Sequence, residues 1–280
     1  MENFPLLWRR TRPAKKAAGR PPRLSVDAVV AAAIRIADAD GLEAASMARV
    51  AAGLGVATMT IYTYVPSRAD LVALMVDDAL LARDLTAGDE DWRDRAVLFA
   101  ARTREMFLIH PWLTEVSLVR PPLGPGTMAE REFMIATMSA AGLPSEGINR
   151  AALSITTYVY AFARQAGEDA RLSRTSGQST EAWWLERGEF WEDWFDVETH
   201  PAMTALWNAG GFDDEGQTAF DYGLALLLDG IERSVQRDDR VTQLTDALDA
   251  DRHGVSRHDP ADPGRRAGQD DVARQQRHDM

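Results

Sequence analysis

A chain of 280 residues can bury a sizeable core as one large domain or two modest ones, and its 45% hydrophobic and 26% charged content is ordinary for a globular protein. The lack of cysteine excludes a disulfide framework, thiolate catalysis, zinc knuckles and iron–sulfur clusters, and no run approaches the ~18 uninterrupted apolar residues of a membrane span. The net charge of -12 is uneven: residues 1–24 carry seven Lys/Arg against one acid, residues 25–280 carry 24 against 42, so a polyanion is expected at one end only.

Phe4-Pro5-Leu6-Leu7-Trp8 precedes its arginine pair and is too short for a signal peptide, which makes a cytoplasmic protein the simplest expectation. From Arg9 to Arg23 the chain mixes Pro, Gly and Lys/Arg without an apolar period and reads as a disordered arm. Ser25 is an N-cap for a first helix with Val26, Val29, Val30, Ala33 and Ala37 at helical spacing, ended by Asp40-Gly41. A second short helix follows Ser46 and stops near Gly53 to Gly55. A third spans about Thr58 to Tyr64 and is broken by Pro66. Ser67-Arg68-Ala69-Asp70 has the capping-box form and opens a fourth.

Beyond Gly88 the predicted helices lengthen. One runs from about Asp91 to Ile109, one from about Thr127 to Ala141 after the rigid turn Pro121 to Gly126. From Ser145 to Asp169 the apolar positions Ile148, Ala152, Ile155, Val159 and Phe162 step by 4, 3, 4, 3; from Asp213 to Gln236, Phe220, Leu224, Leu227 and Ile231 step by 4, 3, 4. Residues 238–280 lack any period and read as a disordered tail. No strand-period run or internal repeat is visible, so the expected fold is all-α. The divisions are an arm at 1–24, a domain of short helices at 25–66, a connecting helix at 67–87, a domain of longer helices at 88–237 and the tail at 238–280.

Residues 46–64 carry the sharpest signal. A helix-turn-helix needs a small residue where two short helices cross, a Gly in the turn and an apolar anchor on the second helix. Ala51, Gly55 and Ile61 fit those roles. The second helix then presents Thr58, Met59, Thr60, Tyr62, Thr63 and Tyr64, which can bond phosphates or touch base edges. No Asp or Glu occurs between Ala44 and Ala69 to repel DNA. A helical hairpin at a bundle corner would show similar spacings, but the acid-free window and the basic arm favour DNA.

The segments Gly19-Arg20-Pro21-Pro22-Arg23-Leu24-Ser25, Ala37 to Met47 and Leu54-Gly55-Val56 to Ser67-Arg68 resemble the DNA-binding domain of TetR-type repressors over residues 20–85. His110-Pro111-Trp112 and Arg120 to Pro125 resemble, more weakly, the C-terminal domain of the tetracycline-repressor branch over about 90–236. The resemblance implies that Thr58, Met59 and Thr63 face bases. It places Ser46, Thr60, Tyr62, Tyr64 and Arg68 on phosphates. It also implies a homodimer on a double-stranded DNA operator, released by a small-molecule effector. Arg20, between Gly19 and Pro21, has the form of an AT-hook core for the minor groove, or belongs to a nonspecific tail. Tyr64 stands where a His is frequent, and Ala48 where relatives carry a polar residue, so no operator sequence is implied. The branch's magnesium-binding histidine corresponds to Val116 here, and its fourth-helix histidine to Asp84, so neither metal nor cofactor is expected and tetracycline is not the implied ligand.

The two apolar stripes are candidates for a four-helix seam between protomers, or for the protomer's own core. Five tryptophans, Trp183, Trp184, Trp191, Trp194 and Trp207, fall in an aromatic-acidic stretch before the last helix. It reads either as one amphipathic helix with its aromatic side inward or as a lid. As a lid, Trp184 and Trp191 would close an effector cavity lined by Phe107, Trp112, Tyr158 and Phe162, suited to an aromatic or cationic ligand. No phosphate loop, paired-His spacing or nucleophile elbow supports an enzyme. The competing expectation is a helical ligand-binding adaptor whose helix-turn-helix no longer binds DNA.

Overall fold

The computed structural model describes residues 3–11, 24–86, 88–212 and 218–236, all helix and connecting loop without a strand among them. Helix α1 (Phe4–Leu7) is a single turn, followed by α2 (Val26–Asp40), α3 (Met47–Gly53), α4 (Thr58–Tyr64) and α5 (Arg68–Ala82). The body contains α6 (Trp92–Ile109), a 3₁₀ turn (Pro111–Glu115), α7 (Pro125–Ala140) and α8 (Ser145–Ser176). Short pieces follow, α9 (Thr180–Leu185), a π turn (Phe190–Trp194) and α10 (Pro201–Asn208), and then a last helix α11 at 218–236. Among the described residues no helix is long and apolar enough to cross a membrane.

The caps fall where the side chains dictate. The Ser25 hydroxyl accepts from Ala28 N at 3.1 Å, Ser46 from Arg49 N at 3.2 Å and Ser67 from Asp70 N at 3.0 Å, each satisfying an amide that the first turn leaves without a partner. Helix α7 starts at Pro125, ahead of the expected Thr127. The Asp77 carboxylate of α5 accepts from Gly126 N at 2.9 Å and Thr127 N at 3.3 Å, so the cap comes from a neighbouring helix rather than from the local sequence. Burial pushes the Asp77 carboxyl above its ordinary value, with the two amide bonds pulling against it.

One apolar cluster joins Val29, Val30 and Ala33 of α2, Val50 and Ala51 of α3, Ile61 of α4 and Leu71, Leu74 and Met75 of α5. It continues into Phe107, Trp112, Leu113 and Ala163, so helices α2 to α5 and the body share a core. A second cluster holds Phe99 and Ala100 of α6, Met134 and Met138 of α7, Ile155 and Val159 of α8 and Phe220, Leu224 and Leu228 of α11.

Two expectations are corrected and an open one is narrowed. Of the two stripes, Ala152, Ile155, Val159, Phe220 and Leu224 are buried with residues of α6 and α7 in the protomer's own core, while Ile148, Phe162, Leu227 and Ile231 are half-buried. The aromatic-acidic stretch is not one helix with its rings inward. It breaks into α9, the π turn and α10, none of which contains a buried residue. Finally, the arm is not unstructured from its start, because Leu7 is buried in the first cluster with Leu6 and Trp8 packed against it.

Candidate nucleic-acid interface

The corner between α3 and α4 is built as its residue types require. Val56 N donates to Ala51 O at 3.0 Å across the turn, while Gly55 sits at φ 67°, a left-handed conformation that strains residues with a Cβ. Ile61 and Val65 are fully buried and fix the orientation of α4. With Ile61 inward, Met59 points out at 74% exposure and Tyr62 at 40%, beside exposed Thr63. Thr58 and Thr60 are half-buried at the rim, and Tyr64 is half-buried with its ring against the first cluster. The outward face thus collects hydroxyls and a thioether without a carboxylate on the helix, which suits a duplex groove.

Two sequence-predicted contacts have duties of their own. The Ser46 hydroxyl caps α3, which leaves its proton available to a phosphate. The Arg68 guanidinium donates to Ala45 O and Leu42 O, both at 3.0 Å, so it fastens the loop before α3 to the start of α5. Its structural role here is to position the corner. Arg20 lies outside the described residues.

The far end of α2 is fastened to the body. Asp38 Oδ1 accepts from Trp112 Nε1 at 2.8 Å and lies 2.7 Å from His110 Nδ1; Leu42 N donates to Glu115 at 3.4 Å. Arg164 of α8 donates to Thr114 O and, at 3.1 Å, to Val116 O, anchoring the same 3₁₀ turn from behind. His110 and Trp112 therefore act at the joint, and the sequence had offered no partner for either.

The six aromatic residues expected around an effector are not brought together. Phe107 and Trp112 are fully buried in the first cluster, Phe107 edge-on to Tyr160 at 5.9 Å. Tyr158 stacks on Phe220 in the second cluster at 5.8 Å, and Phe162 meets the same ring at a tilt, 5.6 Å away. Trp184 and Trp191 form a separate chain of rings with Trp207. A cleft of about 680 Å³ opens elsewhere, lined by Leu81, Arg83, Asp84, Arg95, Glu132 and Phe133. Arg95 lies over the Phe133 ring at 5.4 Å, and its buried Nε has no hydrogen-bond partner. Arg83, largely buried in the cleft wall, donates to Thr103 Oγ1 at 2.8 Å and pairs with Glu130, which also accepts from Tyr160 Oη at 2.6 Å. Burial raises the Tyr160 hydroxyl far above its ordinary pKa, so it remains a donor. Neither Arg83 nor Tyr160 had a period or motif to mark it.

Comparison with known proteins places these observations. Residues 29–75 match the family described as bacterial regulatory proteins, tetR family, and residues 86–235 match the tetracyclin repressor-like C-terminal domain. The chain is 34% identical over 232 residues to the HTH-type transcriptional repressor DrrR1 of Streptomyces coeruleorubidus, covering 81% of this chain and 83% of that one. It is 28% identical over 221 residues to an HTH-type transcriptional regulator of Saccharopolyspora erythraea, covering 79% and 89%. The crystal structure of the TetR family protein ActR of Streptomyces coelicolor in complex with actinorhodin superposes with a TM-score of 0.63. The identity is 26%, over 76% of this chain and 98% of that one. Both halves match in order, and the chain belongs to the TetR family of transcriptional regulators, not to an enzyme family.

Proposed function

We propose that this chain is a homodimeric repressor, acting in the cytoplasm, whose hold on a double-stranded DNA operator is released by a small-molecule effector. The observation that carries this reading is α4 itself, held by buried Ile61 with Met59, Tyr62 and Thr63 turned outward and Thr58 half-buried at their rim. Residues 25–66 read the operator, 67–87 transmit and 88–237 sense. Thr58, Met59 and Thr63 meet base edges, while Ser46, Thr60, Tyr62, Tyr64 and the remaining N–H groups of Arg68 meet phosphates. Leu153 of α8 and Tyr222 and Leu226 of α11 lie exposed opposite the buried stripes and supply an apolar face for the second protomer.

Release follows from the reach of α5. Its first residue, Arg68, holds the loop before α3, and its last turn lines the 680 Å³ cleft, a volume within the range of small-molecule sites. An effector that prefers one position of α5 would alter the separation of two recognition helices seated about one duplex turn apart. The complex of ActR with actinorhodin supports small-molecule sensing on this fold.

The test is a mobility shift at several salt concentrations with a duplex that the full chain selects from a random library. Thr58→Ala with Tyr62→Ala should lower affinity by about 100-fold while melting stays unchanged, on the scale of two lost contacts. Retained affinity would defeat the site assignment, and failure to select any duplex would favour the ligand-binding adaptor.

A further inference from the structure

The first described residues cross from one half of the protein to the other. Trp8 Nε1 donates to Leu123 O at 2.9 Å, in the loop before α7. Arg9 Nε donates to Asp27 at 2.8 Å in the first turn of α2, and Arg9 Nη2 reaches both oxygens of Asp78 on α5 at 3.0 Å. Arg10 forks onto the same Asp78 carboxylate at 3.0 and 2.9 Å and approaches Asp27 at 2.7 Å. The Arg9 and Asp78 side chains are only 12% and 14% exposed, so water screens this pair much less than a surface pair. Leu7 is buried beneath them in the first cluster.

The charges agree with that geometry. Partial burial opposes ionisation of Asp27, but hydrogen bonds from Arg9 and Arg10 and their charges outweigh it and hold the carboxyl below its ordinary value. Arg10 is raised in turn, Asp78 and Asp27 overcoming the cost of burial.

We infer that residues 3–11 are a strap that positions the helix-turn-helix for operator binding by locking α2, α5 and the Leu123 loop together. Arg9 and Arg10 then serve DNA binding without touching DNA. The strap rests on the proposed DNA reading for its biological purpose, but its mechanical content stands on these contacts alone. With Asp27 and Asp78 clamped by the same two guanidiniums, α2 and α5 move as one body. A shift of α5 against the 120–124 loop must break the indole bond.

The strap and a free basic arm make opposite predictions. A free arm contacts phosphates, so Arg9→Gln would flatten the salt dependence of binding by about 0.9 in the log–log slope. Asp78→Asn, which removes a negative charge, would then tighten binding. The strap predicts that Arg9→Gln and Asp78→Asn each weaken binding of the library-selected duplex by roughly tenfold with an unchanged slope. The double variant should be weaker than either single one by less than the sum of the two, because both act on the shared Arg9–Asp78 pair within one network. Trp8→Phe, which removes the indole N–H together with part of the ring but leaves Arg9, Arg10 and their carboxylates in place, should act in the same direction but less.

Hydrogen exchange gives a readout independent of DNA. Amides of α5 and of Leu123 and Gly124 should exchange faster in Arg9→Gln, Asp78→Asn and Trp8→Phe than in the parent chain. Unchanged exchange, tighter DNA binding by Asp78→Asn, or a flattened slope in Arg9→Gln would each overturn the strap. If no duplex is selected at all, the DNA reading fails while the exchange experiment still decides the strap.

Discussion

Helix α4 and the segment from α9 to α10 both expose large apolar side chains, yet they are built in opposite ways. In α4, Met59 and Tyr62 stand outward because Ile61 beside them is fully buried and Val65 closes the end. In the segment at 180–212, Trp184, Leu185, Trp194 and Trp207 are exposed and no residue of its three short helices is buried. Its rings pack on one another, as in the Trp191–Trp207 stack at 6.0 Å, rather than on the two clusters. Exposure with an anchor marks a surface held ready for a partner. Exposure without one shows that the segment draws little of its stability from the body of its own protomer.

Three substitutions put numbers on that contrast. Ile61→Ala should cost the most, roughly 2–5 kcal/mol in urea unfolding, because it empties the site that orients α4. A loss below about 1 kcal/mol would mean that α4 is not anchored through Ile61. Ser46→Ala should cost about 1 kcal/mol by removing the cap on α3, seen as a lowered melting temperature. A neutral result would leave the hydroxyl with no part in folding and sharpen its assignment to phosphate. Trp194→Ala, at a residue 75% exposed, should change the stability of the dilute chain by less than about 0.5 kcal/mol. A loss of 2 kcal/mol or more would break the comparison by showing that something covers the ring.

The helix-turn-helix was legible because every requirement for it is local. Caps at Ser25, Ser46 and Ser67, the Gly55 turn and the Ile61 anchor are written within a few residues of where they act. The stripe through Ile155 and Val159 was legible as apolar, but periodicity does not say which helix covers it, and α6 does. Partners far apart in the chain were not legible. Arg9 read as a free cation, and its carboxylates stand at Asp27 and Asp78. Arg68 was marked only by the family resemblance, and the carbonyls it fastens, Ala45 and Leu42, lie far back in the chain. Trp112 read as a cavity wall, and its indole is consumed by Asp38. The aromatic-acidic segment failed for a different reason. Its rings recur at helical spacing, but nothing in that spacing supplies a surface for them to lie on.

The crossing of α5 over the start of α7 leaves almost no clearance. A methyl group at Gly126 would fall 2.3 Å from the Asp77 carbonyl oxygen, and one at Gly124 would fall 2.3 Å from the Asp77 carboxyl. The two backbones touch there, and the Asp77 carboxylate binds the amides of the opposing helix. Contact that close blocks sliding of one helix along the other, so a movement of α5 would have to be a tilt about this point. Displacement at the cleft end of α5 would then reappear with reversed sign at Arg68, making the helix a lever whose fulcrum is set by two missing side chains.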